Sequence, residues 1–215
     1  MVKLEENGKK TKVLILYCGI GGTNKLWPED EIEVTAIEYD SEIAKIYQDF
    51  FPKHKVIVCD AHQYLLDHYD EFDFIWSSPP CQSHTKLKLT LVSQERTKHC
   101  LEYIDMKLYQ EIIFLKYWFK GKWVIENVKS YYEPLIKPFE SGNHYFWSNF
   151  HINKVKEVKR DIRNKKYNVN KWNFNLEKYK MSKTYKKKLI NNLVNPELGK
   201  HIFDCAFKII QAKIN

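Results

Sequence analysis

The sequence predicts an α/β fold built on a doubly wound, mostly parallel sheet, and three observations support that class. Short apolar runs of strand length alternate with segments of helical periodicity through residues 1–150. Polar residues directly follow several of those runs, at the carboxyl ends of the predicted strands. A glycine-rich turn follows the first run, so that the backbone can come close to a ligand. Because open α/β sheets bind ligands beyond the carboxyl ends of their strands, the pattern predicts a ligand-binding domain.

Five apolar runs are predicted to be strands: residues 12–17, 33–37, 56–59, 72–76 and 123–125. Apolar residues at helical spacing after the second run predict a helix, which Pro52 closes. A longer helix is predicted from about Thr97 to Phe119, before Gly121. One more strand is predicted over residues 144–150.

A concentrated positive charge follows the predicted sheet. Residues 152–190 contain 14 Lys and Arg against three Asp and Glu, a local charge of +11, although the whole chain carries +8. The remaining residues therefore hold 21 basic and 24 acidic side chains. The segment indicates a polyanionic partner such as nucleic acid, although lysine is abundant throughout and the charge can be compositional.

The composition limits the class of protein. With 215 residues, 44% of them hydrophobic, the chain can form one substantial domain with a real core. No apolar run approaches the roughly 20 residues of a membrane span, and the charged N-terminus lacks a signal-peptide stretch, so a cytoplasmic location is expected. Five cysteines without CxxC spacing argue against a disulfide framework and a zinc site. We predict a domain over 1–150, a short basic segment over 151–193 as a candidate nucleic-acid-binding element, and a C-terminal helix over 194–215 that packs back on the domain.

The glycine-rich turn, 19–22, is followed by carboxylates at the ends of the next two predicted strands. Glu38 can accept hydrogen bonds from both hydroxyls of a ribose, and Tyr39 can lie flat against an adenine. Asp60 can accept a hydrogen bond from an exocyclic amine. Two carboxylates in register beside a glycine turn favour a nucleoside ligand.

Other interpretations of these residues stay open. The turn can be a plain tight turn, or it can hold a nicotinamide dinucleotide with Glu38 on its ribose. Asn24, however, occupies the position of the third glycine in that fingerprint. The carboxylates can also cap helices, with Asp40 or Ser41 before one helix and Asp60 before the next.

A second motif, Ser-Ser-Pro-Pro-Cys-Gln over residues 77–82, directly follows the fourth predicted strand. Its two prolines stiffen the chain and hold the side chain of Cys81 at the end of the sheet. A free thiol is mostly protonated at neutral pH, so a nucleophilic Cys81 needs local stabilisation of its thiolate. The alternative is an inert, partly buried cysteine in a loop.

A third motif, Glu126-Asn127-Val128, brings a carboxyl group to the same rim as Cys81. Attack of a thiol at C6 of a pyrimidine pushes electron density into the ring, and an acid at N3 stabilises the resulting enamine. A thiol and a carboxyl group at neighbouring strand ends are what that reaction requires. The alternative is an exposed glutamate at the start of a loop.

The order of the motifs YCGIGG, IEYD, CDA, SSPPCQ and IENV resembles the cytosine-C5 methyltransferase family, which includes bacterial and phage modification enzymes. The resemblance covers roughly residues 11–130. It implies a Rossmann-like methyltransferase fold, S-adenosyl-L-methionine as methyl donor, no metal, and residues 1–150 as the catalytic domain. It makes Cys81 the nucleophile and Glu126 the acid. The donor-binding residues that it implies are Tyr17, Gly19, Gly21, Glu38, Tyr39, Asp60, Pro79 and Asn195.

The base-binding side departs from the family pattern. The resemblance implies substrate contacts from Gln82 and Asn127, but the usual Arg-x-Arg motif is missing. His144 is its candidate substitute, or else a core histidine. The usual target-recognition domain is missing too, because only about 45 residues separate Phe150 from Asn195. We therefore expect a short or relaxed target sequence or a contribution from a second subunit, and the sequence leaves monomer and homodimer open.

We expect the protein to methylate C5 of a flipped-out cytosine in DNA through a covalent bond between Cys81 and C6. An RNA methyltransferase is the nearest alternative, since the PPCQ and ENV pair also occurs in a tRNA-modifying branch of the family. A nicotinamide-dependent oxidoreductase would leave Cys81 and Glu126 unexplained. A catalytically inactive nucleic-acid-binding protein would have no need of either residue. The sequence identifies neither the target site nor a restriction partner.

Overall fold

The computed structural model describes residues 9–86, 102–154 and 172–207. Its strands are β1 (Thr11–Leu16), β2 (Ile32–Glu38), β3 (Lys55–Val58), β4 (Phe74–Ser77), β5 (Lys122–Val128), β6 (Phe139–Ser141) and β7 (His144–Ser148). Its helices are α1 (Ser41–Phe50), α2 (Ala61–His68), α3 (Lys107–Trp118), α4 (Lys183–Asn191) and α5 (Pro196–Phe207). None of the helices in these ranges is long and apolar enough to cross a bilayer.

Within the described residues the strands form one seven-stranded sheet, in the order β3-β2-β1-β4-β5-β7-β6. The first five strands run parallel to their neighbours, whereas β7 is antiparallel to β5 and β6 is antiparallel to β7. The chain winds outward from β1 in both directions, so the strand order reverses between β1 and β4. The predicted doubly wound, Rossmann-like α/β fold is therefore confirmed, and the carboxyl ends of β1 to β5 lie along one edge.

Apolar residues on both sides of the central strands allow helices to cover both faces of the sheet. On one face, Trp76 of β4 belongs to a core that includes Tyr47 of α1 and Phe203 of α5. On the other face, Ile75 of the same strand belongs to a core that includes Leu115 of α3. Neighbouring side chains of β4 therefore face opposite sides of the sheet, with α1 and α5 on one side and α3 on the other.

Helix α3 is shorter than the spacing of apolar residues predicted. It begins at Lys107, and residues 102–106 before it are not helical, so the predicted start near Thr97 is wrong over that stretch. Residues 97–101 lie outside the described residues. Asp105 N–H donates to Ser83 Oγ at 3.0 Å, and Asp105 Oδ1 accepts from Lys107 N–H at 3.0 Å. A tertiary contact thus competes with the helix here, and apolar periodicity does not reveal such a contact.

Strand β5 extends further than the sequence predicted and includes Glu126 and Asn127. The extension follows from β7, which pairs with β5 as far as Val128, opposite His144. Strand β6, which the sequence did not predict, pairs with β7 across a turn at Gly142, where φ is +55°. The sheet, rather than a loop, therefore holds both candidate residues of β5.

Part of the predicted basic segment packs onto the sheet domain. Phe174, Leu176 and Leu189 share a small core with Ile20 of the glycine turn and Ile46 of α1. Phe174 is completely buried, so its ring contributes to packing and cannot stack on a base. Residues 155–171 lie outside the described residues, and the division of the chain at 151 and 194 stays a prediction.

Candidate active site

The glycine turn after β1 has an unusual backbone. Tyr17, Gly19 and Gly21 have φ values of +55°, +54° and +88°. A side chain at Gly21 would meet the Phe51 ring at 2.1 Å, so packing as well as conformation requires glycine there. At Gly19 an added side-chain carbon would meet no atom within 4 Å. Gly19 therefore faces open space, where a ligand can approach the backbone.

Glu38, at the end of β2, contacts this turn through its carboxylate. Glu38 Oε2 accepts a hydrogen bond from Gly19 N–H at 3.0 Å, and Oε1 accepts from the N–H groups of Tyr39 and Asp40 at 3.0 and 3.1 Å. A carboxylate can accept about four hydrogen bonds, so Glu38 keeps capacity for a ligand. The side chain of Tyr39, next to it in the chain, is 77% exposed. The structure thus brings three of the predicted donor-binding residues together.

Asp40 and Asp60 cap the helices that follow them, as one interpretation of the sequence predicted. Asp40 accepts hydrogen bonds from two N–H groups in the first turn of α1, and Asp60 Oδ1 accepts from Gln63 N–H at 3.0 Å. The Gln63 hydrogen bond, with Lys107 Nζ 3.6 Å from Asp60 Oδ2, holds the pKa of Asp60 below its usual range. About half of the Asp60 side chain is exposed, so capping does not prevent contact with a ligand.

Cys81 lies just after β4 at the start of a tight turn. Its carbonyl accepts hydrogen bonds from the N–H groups of His84 and Thr85 at 3.0 and 3.1 Å. Burial raises the pKa of the Cys81 thiol, and the negative charge of Glu126 raises it further. Within the described residues, burial and Glu126 therefore both favour the protonated thiol over the thiolate.

Asn127 connects the two strand ends that carry Cys81 and Glu126. Its side chain is buried; Nδ2 donates to the Pro79 carbonyl at 3.0 Å and Oδ1 accepts from Val128 N–H at 2.9 Å. Both ends of the amide therefore contact the protein, which fits a positioning role better than the predicted contact with substrate. Pro79, which was predicted to contact the methyl donor, is buried as well, and its carbonyl accepts this hydrogen bond from Asn127.

Glu126 and His144 lie close together on the paired strands β5 and β7. His144 Nε2 is 3.6 Å from Glu126 Oε1, and Glu126 is only 7% exposed. The sequence singled out His144 as a substitute for a missing arginine, and the structure places its ring beside the candidate acid. A role of His144 in contacting the base stays a prediction.

Gln82 is exposed and lines a shallow depression next to the turn that carries Cys81. The depression has a volume of about 260 Å³ and is also lined by Pro80, Ser83, Glu102, Tyr103 and Asp105. The side chain of Tyr103 is 99% exposed at this place. Among the described residues, this depression therefore adjoins Pro80 and Gln82, the residues on either side of Cys81.

Asn195 caps α5, because its Oδ1 accepts hydrogen bonds from Glu197 and Leu198 N–H at 2.8 and 3.4 Å. The residue before it lies against the glycine turn, since a side chain at Gly22 would meet the Val194 carbonyl at 2.6 Å. The structure therefore brings this segment to the predicted donor-binding turn, while the Asn195 side chain is used for capping.

A buried carboxylate that the sequence did not predict lies beneath these residues. Glu111 of α3 is completely buried and accepts hydrogen bonds from Tyr17 Oη at 2.7 Å, His62 Nδ1 at 3.0 Å and Ser77 Oγ at 2.6 Å. The available signal was a charged residue on the apolar face of the predicted helix, three positions after Leu108. Charged residues are rarely buried unless they are paired, so this position could have been noted.

The fold and the rim residues define a nucleoside-binding α/β protein with a thiol and a carboxyl group at neighbouring strand ends. The family model described as C-5 cytosine-specific DNA methylase matches residues 11–134, more than half of the chain. The chain belongs to this family, as the order of its motifs predicted.

Several known proteins are similar to part of the chain. The tRNA (cytosine(38)-C(5))-methyltransferase of Rattus norvegicus is 31% identical over 101 residues, which are 44% of this chain and 26% of that protein. The Homo sapiens protein of the same name is 30% identical over 101 residues, with the same shares. The match thus spans about a quarter of these relatives' length. A crystal structure of a Spodoptera frugiperda DNMT2 mutant (E260A/E261A/K263A) is 25% identical, with a TM-score of 0.38, and the match covers 56% of this chain and 36% of that one.

Proposed function

We propose that this protein transfers a methyl group from S-adenosyl-L-methionine to C5 of a cytosine in DNA. The observation that carries the proposal is that Cys81 and Glu126 lie at one edge of the sheet: Asn127, next to Glu126, donates to the carbonyl of Pro79, two residues before Cys81. The negative charge of Glu126 also raises the pKa of the Cys81 thiol. A nucleophile and an acid at one rim, in a member of the C-5 cytosine-specific DNA methylase family, support this reaction.

The residues at the ends of β1, β2 and β3 fit S-adenosyl-L-methionine. Gly19 presents backbone to open space, Glu38 keeps capacity for ribose hydroxyls, and the exposed side chains of Tyr39 and Asp60 suit a flat base with an exocyclic amine. When bound, this donor supplies an electrophilic methyl group on a sulfonium.

The same region argues against a nicotinamide dinucleotide. The glycine turn leads into further turns over residues 22–26 and not into a helix. Dinucleotide-binding folds hold the pyrophosphate at the N-terminus of a helix that directly follows the glycine turn. Because that helix is missing here, the oxidoreductase alternative loses its main support.

The chain's own residues perform the chemistry on the base. Cys81 Sγ forms a bond to C6, while Glu126 delivers a proton or a hydrogen bond to N3 and so stabilises the enamine. C5 would then take the methyl group as the methyl–sulfonium bond breaks. A base that the sequence does not identify would remove the C5 proton while the bond between C6 and Sγ breaks, so that Cys81 leaves as a thiolate and the aromatic ring is restored. A protonated Glu126 no longer opposes the thiolate, so the acid form needed at N3 also lowers the pKa of Cys81. The protonated Glu126 and the Cys81 thiolate, which the reaction needs together, therefore stabilise each other.

The positive charge of residues 152–190, +11 in total, supports a nucleic-acid substrate. In the described part of this segment, α4 exposes Lys183, Lys187 and Lys188 and is anchored to the domain through Leu189. A short recognition element, a cytoplasmic location and DNA modification in a prokaryotic or phage-infected cell, with or without a restriction partner, belong to the same proposal.

A second candidate substrate is tRNA. The observation that favours it is the similarity to the proteins from Rattus norvegicus and Homo sapiens, which are named as methyltransferases of a tRNA cytosine. The catalytic step on the base would be the same, and the difference would lie in how the basic segment holds the polynucleotide.

The test is transfer of a labelled methyl group from S-adenosyl-L-methionine to DNA and to tRNA, side by side. Wild type should label DNA, and labelling of tRNA alone would instead favour the second candidate. Cys81→Ala should reduce labelling by at least about 10³-fold, because no covalent adduct can form. Cys205→Ala, a buried cysteine of α5, is the control and should keep activity. DNA or RNA containing 5-fluorocytosine should trap wild type but not Cys81→Ala. Labelling of neither polymer, or labelling that survives Cys81→Ala, would contradict the proposal.

A further inference from the structure

Glu111 lies at the meeting point of three segments that carry candidate site residues. Tyr17 follows β1 and begins the glycine turn, His62 lies in the first turn of α2 just after Asp60, and Ser77 is the last residue of β4. All three side chains reach the single carboxylate of Glu111, at 2.7, 3.0 and 2.6 Å. One buried group therefore connects the donor-binding turn with the segment that leads to Cys81.

The neighbours of this carboxylate are suited to donate hydrogen bonds to it. The hydrogen bond to Glu111 raises the pKa of His62; the negative charge of Asp60 adds to this, whereas Lys107 opposes it. Burial and Glu111 together raise the pKa of the Tyr17 hydroxyl, which therefore stays a donor. A buried carboxylate that accepts three hydrogen bonds, one of them from a histidine whose pKa it raises, is a directional anchor.

The anchored residue Tyr17 has a conformation that seldom occurs without support. Its φ of +55° lies in the left-handed region, which residues other than glycine seldom adopt. The hydroxyl that contacts Glu111 belongs to this residue, so the carboxylate fixes both the side chain and the start of the turn. Gly19, two positions later, then contacts Glu38.

We propose that Glu111 is a positioning residue, which holds the glycine turn in its donor-binding shape through Tyr17 and aligns the exit of β4 through Ser77. The inference rests on the proposed function, because the donor is S-adenosyl-L-methionine. Ser77 stands two residues before Pro79, whose carbonyl Asn127 holds from the other side. The segment that delivers Cys81 is thereby fixed at two points, one from α3 and one from β5.

The first test is Tyr17→Phe, which removes only the hydroxyl. Tyr179→Phe is the matched control: Tyr179 Oη also donates to a carboxylate at 2.7 Å, but to Asp49 on the surface. We expect Tyr17→Phe to weaken binding of S-adenosyl-L-methionine about tenfold in titration calorimetry, with turnover at saturating donor changed less than about twofold. Tyr179→Phe should bind the donor as wild type does.

The second test is Glu111→Gln, which keeps the shape but removes the charge. The pKa of His62, followed by NMR titration, should fall toward its ordinary value, and donor affinity should fall as in Tyr17→Phe. If Glu111→Gln does not fold, Ser77→Ala takes its place, and turnover should fall while donor affinity is kept.

Three outcomes would overturn the inference in distinguishable ways. Unchanged donor affinity in Tyr17→Phe, or an equal loss in Tyr179→Phe, would refute the positioning role while leaving the proposed function intact. An unchanged pKa of His62 in folded Glu111→Gln would refute the anchor itself. Failure of the wild type to bind S-adenosyl-L-methionine would remove the proposed function together with this inference.

Discussion

The two ends of the candidate site are built differently. On the β2 and β3 side, the carboxylates are at least partly accessible and accept hydrogen bonds from backbone N–H groups: Glu38 from Gly19, Tyr39 and Asp40, and Asp60 from Gln63. On the β4 and β5 side, Glu126 and Asn127 are buried, and the two strand ends are joined by residues far apart in the chain, as in the bond from the Asn127 side chain to the Pro79 carbonyl.

This difference indicates two tasks. Accessible carboxylates with spare acceptor capacity suit a ligand that binds and leaves, because little has to move. Buried groups that contact one another suit chemistry, because their relative geometry and their pKa values are set by the protein. We therefore expect substitutions on the first side to change donor affinity and substitutions on the second side to change turnover.

The largest effect is expected from Glu126→Gln. Methyl transfer should fall by about 10²–10⁴-fold, since the acid at N3 is lost. Alkylation of Cys81 by iodoacetamide at a fixed pH should nevertheless become faster, because loss of the negative charge lowers the pKa of the thiol and raises the thiolate fraction. Peptide mass spectrometry measures the alkylation. Glu140→Gln, an exposed position on β6, is the control. Slower alkylation in Glu126→Gln would refute the coupling.

Glu38→Gln should act on binding. We expect affinity for S-adenosyl-L-methionine to fall about 10- to 100-fold, because the charged acceptor for the ribose is lost, while turnover at saturating donor stays within about twofold. Titration calorimetry and steady-state kinetics measure the two quantities. Glu33→Gln, exposed on the same strand, should leave both unchanged. A loss of turnover without a loss of affinity would contradict the division between the two sides.

Asn127→Ala should reduce turnover about tenfold with little change in donor affinity, because the Pro79 carbonyl loses its donor and the segment before Cys81 is less well fixed. The free energy of unfolding should fall by about 1–3 kcal/mol. Asn149→Ala is the matched control, since Asn149 holds the opposite end of β5 through Trp123 N–H and the Gly121 carbonyl. It should lose similar stability and keep turnover. Equal turnover in both variants would refute the positioning role of Asn127.

The smallest effect is expected from the buried His54 and concerns the pH dependence of stability. Burial lowers the pKa of His54 to about 4, and its Nδ1 contacts the Tyr47 hydroxyl at 3.0 Å. Between about pH 6.5 and 4 the unfolded chain binds a proton at this position that the folded chain does not bind, so stability falls as pH falls through that window. The free energy of unfolding, measured with urea, should be about 2 kcal/mol lower at pH 5 than at pH 7 because of this group. The difference should shrink by that amount in His54→Gln, and an undiminished difference would contradict the assignment.

The sequence predicted the elements that depend on short-range pattern. The five parallel strands follow from apolar runs, and the glycine turn and the prolines before Cys81 follow from local backbone preferences. The helix caps at Asp40 and Asp60 were among the predicted possibilities, because a cap joins a side chain to an N–H only two or three residues later. Motif order was sufficient to predict the family.

Tertiary structure decided what depends on distant neighbours. The start of α3 depends on the contact of Asp105 with Ser83, and the length of β5 depends on its pairing with β7. Glu111 of α3 is a shared acceptor only because residues of β4, of α2 and of the segment after β1 lie around it. None of these contacts has a periodicity that a single segment could display.

By itself, therefore, the sequence determined the α/β class and the identities of Cys81, Glu126, Glu38 and Asp60 as rim residues. The tertiary structure alone decided their protonation and support: that the Cys81 thiol has a raised pKa, that Asn127 holds Pro79 across 48 positions, and that Tyr17 contacts Glu111 across 94. The physical reason is that burial and side-chain pairing depend on which strands become neighbours, whereas periodicity and capping depend on adjacent residues in the chain.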